Sequence, residues 1–205
     1  ILKSYTNVLN GFILLFIKIT NKFSLKQRLS KLPKNNSREK YHTMSKEKFP
    51  VTAATRYLRE HQIRFAGHLY RYEERGGTAH SAACLGVDEH GVIKTLILED
   101  DRRQPLIALM HGDRKVSTRE LARVLGAKTM TPCDPAVAQK HTGYLVGGTS
   151  PFGVRKAMPA YMEASILDLP LIYLNGGKRG FLVSLAPSEV QRLLQPTLVN
   201  VAVED

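Results

Sequence analysis

The strand signals in the second half of this chain follow one another with few helices between them, and that order constrains the fold more than any other feature. Short apolar stretches stand at residues 144–146, 160–163, 171–174, 181–185 and 198–203. A parallel sheet needs a crossover of roughly a dozen residues or more, usually a helix, between successive strands. The spacing here argues against a doubly wound parallel sheet. It predicts a mixed, partly closed sheet with helices packed outside it.

The first half alternates helix and strand signals. Residues 52–62 bring Ala54, Tyr57 and Leu58 together in a short amphipathic helix with bases between them. Residues 64–73 carry Phe65, Leu69, Tyr70 and Tyr72 and read as a strand, closed by a Gly76-Gly77 turn. Thr78 can cap a helix that Gly86 ends. Residues 91–98 and 104–110 read as strands. Ser117 and Glu120 form a capping box, hydroxyl and carboxylate each meeting a backbone amide, on a helix that stops at Gly126. Asp134-Pro135 starts a helix through Lys140, and Pro187 starts a last one through Leu194. The expected class is α+β, a mixed, barrel-like sheet with surrounding helices.

Charge divides the chain in two. Of 205 residues, 43% are hydrophobic and the net charge is +12. Residues 1–43 hold nine Lys/Arg and one acid, which is +8; residues 44–205 hold 21 bases and 17 acids, which is +4. The apolar run at 12–17 is far shorter than the roughly 20 residues that span a bilayer. No small-residue cleavage site follows it. The stretch 31–40, rich in Lys, Ser and Asn, reads as disordered. Residues 1–43 are therefore expected to be a basic extension outside the working domain, with Met44 the natural start and 44–205 the domain; a weak membrane- or RNA-binding arm is the other reading. The mild excess of charge on the body fits transient RNA contact and an ordinary basic protein equally. Cys84 and Cys133 form no CxxC pair, so two buried thiols in a reducing, cytoplasmic compartment are expected.

Three segments can carry chemistry. In Val92-Ile93-Lys94-Thr95-Leu96, alternation puts Lys94 among apolar residues, where an ammonium needs a carboxylate, a cleft or an anionic ligand. A strand-edge lysine that reaches back to water answers the same pattern. The run Gly143-Tyr144-Leu145-Val146-Gly147-Gly148-Thr149-Ser150-Pro151 permits positive φ and close approach of backbone amides, which can hold a developing oxyanion; a hairpin or bulge is the plainer alternative. It is neither a phosphate-binding P-loop nor a dinucleotide fingerprint. The turn Asn175-Gly176-Gly177-Lys178-Arg179-Gly180 sets two cations among glycines, either to hold phosphate or as a solvated turn. Seven histidines show no metal-binding spacing, and Ser150 lacks the context of a nucleophile elbow.

These segments, preceded by His68-Leu69-Tyr70, occur in an order by which the chain resembles the YbaK family, free-standing relatives of the editing domain inserted in bacterial prolyl-tRNA synthetases. The resemblance covers nearly all of residues 50–203. It implies a six- or seven-stranded barrel-like sheet and deacylation of mischarged tRNA, typically cysteine on tRNA(Pro), with tRNA(Cys) as a further substrate and alanine editing as the nearest variant. A non-catalytic module that binds tRNA or a synthetase is the competing class. Under the resemblance Lys94 places the tRNA 3′ end, the amides of Gly147 and Gly148 hold the ester carbonyl, and Tyr70, Thr95, Tyr144, Ser150, Asn175, Lys178 and Arg179 bind substrate. The substrate thiol itself attacks, so no cofactor and no metal are needed. The implied partner is the acceptor end of mischarged tRNA, with prolyl- or cysteinyl-tRNA synthetase as a protein partner and no membrane. The chain departs from some relatives at Asn175, where they have Ser, and at Leu182, where they have Asp.

Overall fold

Residues Pro105–His111 (β3) are buried along their whole length and form the middle of the largest sheet. A computed structural model describes residues 49–204, so the expectations for residues 1–43 lie outside the described residues. β3 pairs antiparallel with Ile93–Asp100 (β2) and parallel with Ala160–Glu163 (β6). Met130–Pro132 (β5) extends the sheet beyond β2, and Thr197–Val199 (β9) extends it beyond β6. Ala66–Leu69 (β1), Ile172–Lys178 (β7) and Phe181–Leu185 (β8) make a second sheet in the order β1-β8-β7. Arg114–Val116 (β4) and Ala202–Glu204 (β10) make a two-stranded ribbon.

Sheets of five, three and two strands thus stand where a six- or seven-stranded barrel was expected. The mixed α+β class holds. Among the described residues no barrel closes: the five- and three-stranded sheets stay separate, and the isolated parallel bridge Val92↔Tyr173 lies just before β2.

Alternation along β2 and β3 feeds two cores. One face sends Ile93, Ile97, Ile107 and Leu109 toward Leu174 and Val183 of the second sheet. The helices Ala53–Glu60 (α1), Pro135–Thr142 (α4) and Pro187–Leu194 (α5) bury Leu58, Ala138 and Val190 in that core. The other face packs Leu98, Leu106, Ala108 and Met110 on Leu121 and Ala122 of Thr118–Leu125 (α3). Leu121 is fully buried, worth about 2 kcal/mol of transfer free energy. Gly77–Leu85 (α2) packs beside the three-residue helical turn Glu89–Gly91.

Local chemistry explains the departures from the sequence reading. Only half of the capping box at α3 forms: Ser117 Oγ accepts from Glu120 N–H, while Glu120 pairs with Arg123 and Ser117 N–H bonds Val201 O. No strand forms at 144–146. Gly143 ends α4 with φ 82°, Tyr144 turns into the core and Leu145 and Val146 lie exposed. The span 198–203 divides into β9 and β10, and β4 and β5 are additional. Cys133 is buried, but Cys84 is exposed. Among the described residues no helix is long and apolar enough to cross a membrane.

Candidate active site

β2 is covered on its outer edge only at one end. β5 pairs with Leu98, Glu99 and Asp100, and Cys133 N–H donates to Ile97 O at 3.0 Å. Backbone groups of alternate residues share an edge of a strand. Those of Thr95 therefore project to the same side as those of Ile97. No described strand pairs with that edge at Thr95. A cleft of about 780 Å³ runs along it, between the β2 edge, the Tyr70–Ser81 segment, Gly147 and Asn175.

The geometry explains how Lys94 and Thr95, on opposite faces of β2, both reach one cleft. Thr95 lies opposite Leu109, on the side of the main core, and Lys94 lies opposite Met110, on the side of α3. The cleft follows the strand edge rather than a face, so side chains of both parities border it. The half-buried Lys94 donates from Nζ to Arg114 O at 2.9 Å, on β4. Thr95 Oγ1 is buried and has no hydrogen-bond partner among the described residues. Such a hydroxyl costs about 1–3 kcal/mol when it stays unmet.

Across the cleft the two glycine-rich segments are one assembly. Asn175 Nδ2 donates to Gly147 O at 3.0 Å, and Asn175 Oδ1 accepts from the N–H of Gly177 and of Lys178 at 2.9 and 3.2 Å. Arg179 Nε donates to Val146 O at 2.9 Å, and its guanidinium lies 5.2 Å over the Tyr72 ring. Gly148 packs so closely on the turn that a Cβ there would lie 3.0 Å from Arg179 N. Gly147 has φ 83°, and a Cβ on it would meet Tyr72 Oη at 2.9 Å. The Asx-like bonds of Asn175 coincide with the β-bulge between Asn175 and Lys178, which aims Arg179 at the loop.

The expected site residues separate accordingly. Lys94, Gly147, Tyr70, Thr95, Asn175 and Arg179 line the cleft. Gly148, Tyr144, Ser150 and Lys178 do not. Gly148 is buried and its N–H donates to Leu145 O at 2.8 Å, whereas Gly147 N–H, like those of its cleft-lining neighbours Val146 and Thr149, has no acceptor among the described residues. Tyr144 is in the core with its hydroxyl on Phe152 O at 2.6 Å, and burial pushes its phenol up to about 12. Ser150 is fully buried and accepts from Phe152 N–H at 3.4 Å. Both hold the loop from behind. Lys178 is exposed and does not border the cleft.

The sequence reading passed over Tyr72, Cys133 and the backbone edge at Thr95. Tyr72 follows Tyr70 at the two-residue spacing of an extended chain, a signal that was available. The open edge depends on where β5 stops, which no local pattern encodes. Burial raises the Tyr70 phenol, keeping it a neutral donor near pH 7. Burial, with the Glu99 carboxylate beside it, pushes the Cys133 thiol up to about 11. Among the residues that line the cleft, no Ser, Thr or Cys is hydrogen-bonded to a histidine; the thiol–histidine contact at its margin joins the lining His80, through Nε2, to Cys84 Sγ outside the wall at 3.5 Å.

Comparison with known proteins places this arrangement. Residues 73–193 match the family described as aminoacyl-tRNA editing domain. A protein of Enterococcus faecalis named "Putative Cys-tRNA(Pro)/Cys-tRNA(Cys) deacylase EbsC" is 26% identical over 155 residues, 75% of this chain and 94% of that protein. Proline--tRNA ligase of Desulforamulus reducens is 33% identical over 120 residues, covering 58% of this chain but 20% of the ligase. A solved structure described as a "putative trans-editing enzyme for prolyl tRNA synthetase" superposes with a TM-score of 0.64 at 18% identity, covering 76% of this chain and 99% of that one. That likeness concerns the fold. The matched span takes in most of the cleft-lining residues, the whole 143–153 loop and the Lys178-Arg179 turn, and the chain belongs to the aminoacyl-tRNA editing domain family.

Proposed function

We propose that this aminoacyl-tRNA deacylase removes misattached cysteine from tRNA(Pro), with Cys-tRNA(Cys) as a further substrate. The observation that carries the reading is the combination along one open strand edge: Lys94, the Thr95 backbone and the unengaged Gly147 N–H border a cleft in which no lining Ser, Thr or Cys is hydrogen-bonded to a histidine. The edge can bind the backbone of an aminoacyl group much as a sheet edge accepts a strand. Thr95 C=O would take a proton of the α-amino group. Gly147 N–H would hold the ester carbonyl as charge develops on its oxygen. One such donor is typically worth about 10²–10³ in rate. Lys94 would leave Arg114 O to meet the ribose and phosphate of the terminal nucleotide.

With a cysteinyl ester the attacking group arrives with the substrate. Its sulfur bonds to the carbonyl carbon, the bond from that carbon to the ribose 3′ oxygen breaks, and the thiol proton ends on the departing oxygen. The products are a thiolactone and free tRNA. The protein supplies proximity and electrostatic support, and intramolecular attack gains most from fixed geometry. An alanyl ester has no such thiol and would need water as nucleophile. The domain that does this work is residues 44–205, and a synthetase would supply tRNA selection.

The reading is tested by deacylation of tRNA(Pro) and tRNA(Cys), each charged with cysteine, alanine or proline. Cysteinyl esters should turn over fastest. Lys94→Ala should abolish the activity while the fold, read by circular dichroism and melting, persists. Full activity in that variant would defeat the mechanism. RNA binding without turnover of any ester would favour a binding module.

A further inference from the structure

Four of the thirteen described arginines are held by carboxylates. Arg103 pairs with Glu99, Arg114 with Asp113 and Glu204, Arg123 with Glu120 and Arg192 with Glu189. Arg179 is held just as firmly, but by neutral groups. Its Nε is on Val146 O at 2.9 Å, and its guanidinium lies over Tyr72 at 5.2 Å. No described carboxylate lies within ion-pair distance of it, and its terminal nitrogens meet no acceptor among the described residues. Of the three acids of the same wall, Glu73 is with His80 at 3.1 Å and Glu89 with Thr78 at 2.7 Å, and the exposed Glu74 makes no ion pair with Arg179. An exposed arginine normally loses about 2 kcal/mol of rotamer freedom when a ligand fixes it. Here the ring and the carbonyl have largely fixed it already. The result is a preoriented planar fork at a cleft that receives RNA, the geometry that matches phosphate oxygens in a bidentate manner.

We propose that Arg179 is the phosphate grip of this site: it holds the phosphodiester that enters with the terminal nucleoside and so sets how deep the ester sits against Gly147. The inference rests on the deacylase reading and adds a positioning residue to it. Lys178, its neighbour in the turn, is exposed and outside the cleft wall, so it adds field but no directed contact. Tyr72 serves as the backing of the grip. It touches the Arg179 guanidinium on one side and approaches Gly147 on the other, so that phosphate capture and placement of the carbonyl donor are mechanically joined.

The experiment compares substrates with and without the phosphate. Cysteinyl-tRNA(Pro) and a 3′-cysteinylated CCA trinucleotide carry it; cysteinyl-adenosine does not. For Arg179→Gln, kcat/KM on the two phosphate-bearing substrates should fall about 10–100-fold, as for a charge-assisted hydrogen bond. That loss should exceed the loss on cysteinyl-adenosine by about tenfold or more. Arg179→Lys should recover part of it. The logarithmic salt dependence of binding to an uncharged CCA-ended oligonucleotide should become shallower by about 0.7. An equal loss on all substrates would overturn the proposal, since it would mean that Arg179 only braces the Val146–Gly147 loop. No loss on any would also overturn it. Should the wild type hydrolyse none of these esters, the deacylase reading fails separately, and binding of the uncharged oligonucleotide decides: weaker binding by Arg179→Gln supports the grip, unchanged binding refutes it.

Discussion

Beside the start of β2 lies a histidine cluster in which three of four ring nitrogens have a partner, and along the edge of the same strand lies a cleft in which several polar groups have none. His111 is buried, with Nδ1 on His90 O and Nε2 on Ser165 Oγ, both at 2.8 Å. Its ring stacks on His90 at 3.7 Å, and His90 Nδ1 meets Asp113 Oδ1 at 2.8 Å. In the cleft, Thr95 Oγ1, the outer edge at Thr95 and the Gly147 N–H wait for ligands. Titratable groups are denser in the cluster, yet the cleft has the features of a site. Saturated networks make a structure stiff, whereas unmet donors on a fixed frame are what a substrate can complete.

The comparison breaks most sharply at Gly147. Gly147→Ala places a Cβ 2.9 Å from Tyr72 Oη on a backbone with φ 83°. The loop must shift, and its free N–H loses its aim. We expect kcat to fall about 100-fold for a loss of roughly 1–2 kcal/mol in stability. Gly126→Ala is the control. It has φ 67° and open space around it at the end of α3, so it carries similar backbone strain without the loss of rate. Equal rate losses in the two variants would erase the distinction between the cleft and the rest of the fold.

Much of this frame was readable beforehand, and the parts that were not share a cause. Local rules placed α5 from Pro187, the Gly86 and Gly126 helix stops and the strands at 160–163 and 181–185, because caps and alternation act within a few residues. The family signature marked both glycine segments. Tyr144 and Ser150 lie behind the cleft rather than in its wall, because a motif shows which residues recur and not which way they face; both turn inward to fix the loop. Gly148 also stands outside the cleft wall, its amide closing a turn on Leu145. The open edge at Thr95 depends on the end of β5, some 35 residues along the chain, a long-range fact with no local trace.

The second way to sharpen the comparison is through stability. Removing the buried imidazole from the histidine cluster should unfold rather than inactivate. His111→Gln should cost about 1–3 kcal/mol, measured by denaturant titration, because buried partners are left unmet. Activity at low temperature should change much less. The pH dependence follows from burial, which holds His111 below its ordinary value of 6.5. The unfolded chain then binds more protons than the folded one as pH falls. The histidine's contribution is therefore complete above about pH 6.5 and lost progressively below it. Asp113 acts in the same direction at lower pH. Its partial burial would raise it, but the His90 hydrogen bond and charge outweigh that and hold it below 3.8. In His111→Gln the slope of stability between about pH 6.5 and 4 should flatten; an unchanged slope would assign it to other groups.

The smallest effect concerns the two thiols, which report on the cleft without entering the reaction. Cys84 is exposed on α2, its Sγ 3.5 Å from Nε2 of the cleft-lining His80, whereas Cys133 borders the cleft with its Sγ toward Glu99 at 3.8 Å. A thiol raised to about 11 by burial and by that carboxylate is almost wholly protonated at pH 7.5, and the thiolate is the species that alkylates. Brief treatment of the folded protein with iodoacetamide should label Cys84 and spare Cys133, with both labelled after unfolding, read by peptide mass. Deacylation of Cys-tRNA(Pro) should survive Cys84 labelling within a few-fold. Rapid labelling of Cys133 in the folded chain would mean that its thiol is far more acidic than its surroundings allow. A protein nucleophile would then stand beside the β2 edge, and attack by the substrate's own thiol would no longer be required.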